Sequence, residues 1–489
     1  MIDTQAIRKK ILDLALRGKL TEQRPEDETA EELYEKIQAE KKMLIKAGKV
    51  KKDKPLLEIK SDELPFEIPE SWKWVKVGNI GSWSAGSTPS RGNPAYYNNG
   101  TIPWLKTGDL CDNYVSEVPE SITEQALQEG SLRVNPIGSV LMAMYGATIG
   151  KLCILTTPMT TNQACCACIP FTGIYNRYLF YFLLGMRSAF IEKGKGGAQP
   201  NISKEIIVNS DFPLPPFPEQ RRIVAKIDAI FSLLDTIDAL QSTYTANQKA
   251  LRAKLIDAAI RGQLTEQLPE DGTAEELYQQ IHQEKLALEK AGKIKKSKPL
   301  PPISDEEKPF DIPENWKWVR FDVISNILGT GMIRAGNEQY NEAEYYYFKM
   351  NNIGNFDGKC HFENLVMVNA SKEEFDRYKL EEDDFLFNTR NSKELVGKTA
   401  VVPPISQPII LNNNILKIHF LGGIVPKYIN YYFLSTQGHT RLSSFVTSTT
   451  NVAAIYQRQL ITFCVPLPPL AEQKRIVAKL EELLPLCKG

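Results

Sequence analysis

The sequence has little that would serve catalysis. Histidine occurs only four times in 489 residues, at His282, His361, His419 and His439, too scattered for a metal set or a triad. Eight cysteines do not suggest a disulfide framework in so long a chain. Cys165, Cys166 and Cys168 crowd together, but no second CxxC or HxxxH completes a zinc set, and they read as buried thiols in a strand. No apolar run approaches the ~20 residues of a membrane helix; the longest is Tyr178–Met186. Met1–Lys10 is polar with no apolar signal segment after it, so a cytoplasmic protein with no membrane partner is expected. Net charge is also missing, with 59 Lys plus Arg against 59 Asp plus Glu. That balance counts mildly against nucleic-acid binding, which would have to rest on local clusters.

Motifs for nucleotides and metals are likewise absent. Gly146-Ala147-Thr148-Ile149-Gly150-Lys151 is one residue short between its glycines for a phosphate loop, and Leu152 stands where Ser or Thr would hold magnesium. Gly397-Lys398-Thr399 ends correctly, but Ser392 occupies the first glycine's place. No G-x-G-x-x-G opens a helix after a strand, and Asn-Pro-Pro-Tyr, expected of an adenine methyltransferase, does not occur. Asp383-Asp384 has no companion acid with the spacing of a nuclease's magnesium site.

What the chain does have is a repeat. Ala6–Val75 aligns without a gap to Ala250–Val319, at a constant offset of 244. Arg17-Gly18 matches Arg261-Gly262, Thr29–Tyr34 matches Thr273–Tyr278, and Trp72-Lys73-Trp74 matches Trp316-Lys317-Trp318. A second block, Pro213–Ile227, recurs as Pro466–Leu480 at an offset of 253. Between the blocks lie Lys76–Asp211 and Arg320–Cys464, which resemble each other only faintly. Uniform drift would not spare one part and scramble another, so the pattern suggests one scaffold carrying two different readers. The organisation is a helical region 1–75, a variable domain 76–211, a central region 212–319, a second variable domain 320–464 and a terminal helix 465–489.

The shared parts are helical. From Glu219 the apolar residues step by fours and threes through Ile223, Ile227, Ile230, Leu234 and Ile237, and after a polar centre they resume at Leu251 and Leu255. This is a heptad seam, expected over 219–262, and a rod of ~66 Å at ~1.5 Å per residue. Residues before Gly18 match the second half of this helix and residues after Glu472 match its first half. The two chain ends therefore supply a split second copy, predicted to pack antiparallel to the central helix. Thr29 and Thr273, each with Glu three residues on, predict capping boxes. The helices they start run into lysine-rich stretches, 41–54 and 285–298, which read first as solvated helix ends and second as phosphate contacts.

The variable segments read as two small α+β domains. Strands are expected at Val140–Tyr145, Lys151–Leu155, Ala164–Ile169, Asp384–Phe387, Thr399–Val402 and Ile415–Phe420, and helices at Tyr175–Lys193 and Pro426–Val446. Their loops hold the residue types that meet base edges and phosphates. In the first segment these are Ser87, Thr88, Arg91, Lys106, Tyr145, Gln163, Gln199 and Asn201. In the second they are Arg334, Asn388, Arg390, Asn391, Lys398, Asn413, Thr449 and Asn451. Each alone is equally a turn residue or a strand cap; collectively they point to reading bases.

With Pro213–Pro216 and Glu219–Val224, their echo Pro466–Val477, the repeated Arg17–Thr21, and Gly146–Lys151, Gly197–Ser203 and Ile68–Trp74, the whole chain resembles the specificity subunit of type I restriction–modification enzymes. The resemblance implies two target-recognition domains separated by a long antiparallel two-helix coiled coil, each reading half of a split sequence in double-stranded DNA. It implies no catalysis by this chain. Two methyltransferase subunits would dock on the helices and ATP-dependent restriction subunits would join, with S-adenosylmethionine, ATP and magnesium on those partners. The chain departs from the pattern in stopping at Gly489, which bears on how fully the second rod is completed. The competing readings are a stand-alone or fused methyltransferase or nuclease, and a coiled-coil scaffold with no nucleic-acid role.

Overall fold

The computed structural model describes residues 1–52, 54–60, 62, 64–194, 201–448 and 452–487. The chain divides into two compact units of mixed helix and sheet, Met1–Gln241 and Ser242–Gly489. The 44-residue helix Phe217–Ile260 contributes its first half to one unit and its second half to the other.

Each unit repeats one local plan. In the first, the helix Thr4–Leu16 ends at Gly18, whose φ of +66° favours glycine. A Cβ there would also lie 2.4 Å from Pro69 Cγ, so the position has no room for one. Gly262 has φ +70° and would place a Cβ 2.5 Å from Pro313 Cγ. Both expected capping boxes form, starting the helices Ala30–Lys46 and Ala274–Lys290. Each variable segment then enters on one strand and leaves on its antiparallel neighbour. Lys73–Lys76 pairs with Asp211–Leu214, and Lys317–Arg320 with Cys464–Leu467.

Inside the first insert, a five-stranded sheet runs in the order Gly81–Ala85, Cys165–Pro170, Val140–Ala143, Leu152–Leu155, Asn113–Val115. The second insert has a four-stranded antiparallel sheet, Ser325–Thr330, Ile415–Phe420, Phe385–Asn388, Thr399–Val401. The six strands expected from sequence lie on these sheets, with ends shifted by a residue or two. The cysteines at 165, 166 and 168 are buried in a strand, as read from the sequence, and burial raises their thiol pKa values, that of Cys166 to about 12. The two helices expected in the inserts are each broken. The first becomes Asn176–Gly185 and Arg187–Lys193, divided at Met186. The second becomes Pro426–Leu434 and Thr436–Ser444, because Ser435 turns extended and its hydroxyl accepts from Gly438 N at 3.0 Å, capping the next helix.

The seam of the long helix holds in its first half. Ile223, Ile227 and Leu234 are buried, and Ile230 and Ile237 are half-buried. The N-terminal helix runs antiparallel to it, since Thr4 bonds Asp238 at 2.6 Å while Arg8 reaches back to Asp235 at 2.7 Å. In the second half Leu255 is half-buried, but Leu251 is 48% exposed and leaves the seam. The seam passes instead through the half-buried Gln248 and Arg252 to the buried Ile256, Ala259 and Ile260, so Leu251 sits one residue, about 100°, off the face. There the C-terminal helix Leu470–Leu483 supplies Ile476, Val477 and Leu480 to the same core.

The start of the long helix ties these pieces together. Glu219 is fully buried and accepts hydrogen bonds from Trp72 Nε1 (2.8 Å), Gln23 Nε2 (2.9 Å) and Thr21 Oγ1 (3.2 Å). Gln220 accepts from Tyr175 N at 2.8 Å and donates to the Gly173 and Pro215 carbonyls, and Arg222 pairs with Asp27. The second unit repeats the set. Glu472 takes Trp316 Nε1 (2.8 Å), Gln267 Nε2 (2.8 Å) and Thr265 Oγ1 (3.2 Å), Gln473 takes Val425 N (2.9 Å), and Arg475 pairs with Asp271. Trp72→Phe and Trp316→Phe each remove one donor from a buried carboxylate and are expected to cost about 1.5–3 kcal/mol. Urea unfolding checks this; midpoints equal to wild type in both variants would show that the carboxylates do not need the indoles.

Candidate nucleic-acid interface

The two inserts share almost no sequence in their loops, yet strand register places two pairs of candidate residues, Tyr145 with Arg390 and Gln163 with Asn413, on common positions. In the first, Ala143 lies opposite Cys165, and in the second Asn388 lies opposite Ile415. Counting on from these pairs makes Met144 equivalent to Thr389 and Tyr145 to Arg390. The hydrogen bonds agree. Met144 N donates to Ala164 O (2.8 Å) and Thr389 N to Asn414 O (2.9 Å), while Ile202 N donates to Met144 O (2.7 Å) and Ile455 N to Thr389 O (3.0 Å). Tyr145 bridges to Asn201 and Arg390 pairs with Ala454.

The loop leaving the first strand of each sheet joins the same spot. Ser87 N donates to Thr161 O (2.9 Å), as Met332 N does to Leu411 O (2.7 Å). That approach requires glycine just before it. A Cβ on Gly86 would sit 2.2 Å from the Thr161 and Asn162 carbonyl oxygens, and one on Gly331 would sit 1.9 Å from Leu411 O. Thr88, Tyr145, Gln163 and Asn201 thus correspond to Ile333, Arg390, Asn413 and Ala454. Thr88 and Gln163 are joined by a side-chain hydrogen bond.

In the second unit these positions border a cleft of about 510 Å³ that brings Arg334, Arg390 and Asn413 together with Thr389, Tyr378, Tyr456 and Gln457. The two arginines differ in state. Arg334 holds both Glu374 oxygens at 3.0 Å, and the Glu374 carboxyl is held below its usual range, first by the Ser371 backbone N–H and then by Arg334. Arg390 is exposed, and its guanidinium has no ion pair among the described residues. In the first unit Arg91 and Lys106 both bind Glu120, whose carboxyl is held low mainly by Lys106, and Arg91 lies over Tyr97 and Trp104 at 4.7 and 4.8 Å. The two cations share that one carboxylate, which orients both and leaves one positive charge in excess.

Two nominated residues are corrected. Lys398 is 2% exposed and donates to the Met350 and Ile353 carbonyls at 2.8 and 2.6 Å, so it braces a loop and does not reach outward. Asn388 is fully buried and donates to the Arg390 and Asn414 carbonyls at 3.1 Å, shaping the strand end that presents Arg390. Asn391 is half-buried and bonded to Asn388 at 2.9 Å. Ser87 is half-buried, its carbonyl accepting from Trp104 Nε1 at 3.1 Å. Gln199, Thr449 and Asn451 lie outside the described residues. Sequence reasoning missed Tyr378, Tyr456 and Gln457, and also the acids Glu120 and Glu374. No spacing signal marks them, because Tyr378, Tyr456, Gln457 and Glu374 reach the second unit's cleft, and Glu120 the first unit's two cations, from segments apart in sequence.

Glu381, Asp384 and His419 come within metal-binding range of one another. The Lys417 ammonium lies 3.7 Å from Asp384 and the Lys379 ammonium 2.9 Å from Glu381, so each carboxylate already faces a cation. Among the described residues no helix is long and apolar enough to cross a membrane.

Gly331→Ala and Gly86→Ala are expected to destabilise their units by about 1–3 kcal/mol through backbone overpacking. Thermal unfolding reads this directly, and an unshifted midpoint would mean that the loop approach is not tight.

The comparisons accord with this geometry. The family model described as "Type I restriction modification DNA specificity domain" matches residues 69–243 and 313–486, more than half of the chain. The specificity subunit of the type I restriction enzyme EcoAI of Escherichia coli is 29% identical over 542 residues, covering 98% of this chain and 89% of that protein. The EcoEI specificity subunit, also of Escherichia coli, is 28% identical over 544 residues with the same coverage. A solved chain from work on complex assembly and conformational transition of the type I R-M system superposes with a TM-score of 0.59 at 19% identity. It covers 86% of this chain and 92% of its own, a likeness of fold.

Proposed function

Because this chain belongs to the type I restriction–modification DNA specificity family, we propose that its two variable lobes each read one half of a split sequence in double-stranded DNA. Its part in such a system is that of the specificity subunit, the component for DNA recognition. The observation that carries the two-reader proposal is the recurrence of one loop cluster in both inserts with different side chains at each equivalent position. Thr88, Tyr145, Gln163 and Asn201 in one, against Ile333, Arg390, Asn413 and Ala454 in the other, present unlike patterns of donors and acceptors, as two unlike half-sites require.

In this reading the chain does no chemistry itself. Two methyltransferase subunits bind along its helices and modify adenines, with S-adenosylmethionine in their own sites. ATP-dependent restriction subunits, with ATP and magnesium, join the same complex. The length of the helix Phe217–Ile260 sets the number of unread bases between the half-sites.

Arg390 is the base-reading residue of the second lobe. A guanidinium offers two parallel donors, which match guanine O6 and N7. Arg390→Ala is expected to relax or weaken recognition at one position of one half-site, at about 1–3 kcal/mol. Mapping methylated adenines across the host genome reads the outcome, and an unchanged motif rejects the assignment. Deleting one heptad between Ile223 and Leu255 is expected to change the spacer and leave both half-sites intact. An unaltered spacer in a complex that still methylates would sink the ruler.

A further inference from the structure

The repeated scaffold carries a cationic groove in each unit that the reading of bases does not use. In the first unit Lys41, Lys52, Lys54, Lys73 and Lys76 line a groove of about 730 Å³ beneath the segment that follows the helix Ala30–Lys46. In the second, Lys285, Lys296, Lys298, Lys317 and Arg320 line one of about 660 Å³ at the equivalent place. The strap 41–54 holds seven lysines and a single acid, and 285–298 holds six and one, in a chain with no net charge.

The cations on the floor of each groove are bonded within the fold. Lys41 donates to Gly78 O (2.9 Å), Lys73 pairs with Glu31, and Lys76 pairs with Asp211 (2.7 Å). The second floor repeats this, with Lys285 on Asp322 (2.8 Å), Lys317 on Glu275 (2.6 Å) and Arg320 on Glu307 (2.7 Å). The rims differ: Lys52, Lys54, Lys296 and Lys298 are exposed or half-exposed, with no ion pair among the described residues. Each rim pair is two residues apart, at most ~7 Å in extended chain, a spacing suited to consecutive phosphates.

Both straps are anchored beside the reading cluster. Leu57 N donates to Asn209 Oδ1 at 2.9 Å, at the end of the helix Lys204–Val208, which starts three residues after Asn201. That helix has five residues, ~7.5 Å of rise. In the second unit Arg320 donates to the Pro301 and Pro302 carbonyls (3.1 and 3.2 Å) and to Thr462 O (2.8 Å). Thr462 lies just past the helix Gln457–Leu460, which starts three residues after Ala454. A single short helix thus links rim to reader in both.

We infer that the two straps are paired clamps for the DNA phosphate backbone, with Lys52 and Lys54 gripping beside one half-site and Lys296 and Lys298 beside the other. The inference rests on the DNA-reading assignment above. The occupant is a phosphodiester strand and not an acidic face of a protein partner. The charges are ammoniums in a row with no ion pair among the described residues, an arrangement that holds phosphate whatever its sequence, and a neutral chain that binds DNA must collect such charges locally.

The test uses the full chain assembled with the methyltransferase subunits of its own host, on a duplex carrying the sequence those subunits methylate. Binding is titrated against salt for the unsubstituted complex, for the quadruple variant Lys52→Ala, Lys54→Ala, Lys296→Ala, Lys298→Ala, and for the same four positions changed to Arg. The alanine complex is expected to bind with a shallower slope of log K on log[salt], by ~0.9 for each phosphate no longer neutralised. The arginine complex should keep the full slope, and the methylated motif should be the same in all three. An unchanged slope in the alanine complex overturns the clamp. So does failure of that variant to assemble with the other subunits, which assigns the grooves to a protein partner. If the unsubstituted complex does not bind the duplex at all, the DNA-reading assignment itself fails.

Discussion

Everything in each unit is organised around one buried carboxylate. Glu219 and Glu472 are fully shielded from solvent, and an ionised carboxylate cannot stay in such a place unless donors surround it. Each receives three donors from two segments distant in sequence: an indole from the residue just before the strand on which the variable insert begins, and an amide and a hydroxyl from the loop after the preceding helix. Both acids also sit in the first turn of a helix, where unpaired N–H groups and the helix dipole favour negative charge. Losing any one segment would leave a charge buried without its partners. The repeat therefore keeps its side chains at Thr21, Gln23, Trp72 and Glu219, and at their counterparts, as a set.

The next residue explains why the inserts could diverge while the scaffold did not. Gln220 and Gln473 grip the inserts through backbone atoms alone, the N–H of Tyr175 or Val425 and the carbonyl of Gly173 or Gly423. A backbone grip does not depend on which side chain is present, and Tyr175 and Val425 are indeed unlike. At this glutamine the variable segments are held by their peptide groups, and insert-specific side-chain pairs such as Arg177 with Asp228 and Lys427 with Glu481 are added beside it.

Where a residue's environment is set by its neighbours in sequence, the sequence could be read. Thr29 and Thr273 start helices because the capping box is complete within four residues, and Ile415–Phe420 forms a strand because β-branched and apolar residues dominate it. Where the environment is assembled from afar, reading failed. Lys398 looks like a loop cation but is consumed by two carbonyls some 45 residues upstream. Leu251 continues the heptad count through Tyr244 and Gln248, but the exposed, polar-rich centre does not fix the phase, and the buried face steps from Gln248 to Arg252. The equivalence of Tyr145 with Arg390 is invisible by alignment, since only the strand register and two interstrand hydrogen bonds carry it.

In the proposed reading, that equivalence also locates the source of discrimination. The cations nearest the two clusters are held by carboxylates, Arg334 by Glu374 alone and Arg91 and Lys106 by Glu120 between them, so their positions are fixed from within the fold. Arg390 is untied, while its counterpart is a phenol. Base reading needs groups whose donors are aimed and still unsatisfied, and backbone binding needs charge that ignores sequence. With the first on loops of the divergent inserts and the second on straps of the repeated scaffold, as proposed, one could change without disturbing the other. A new target can then be acquired by altering a handful of loop positions, because neither the buried carboxylates nor the lysine straps touch them.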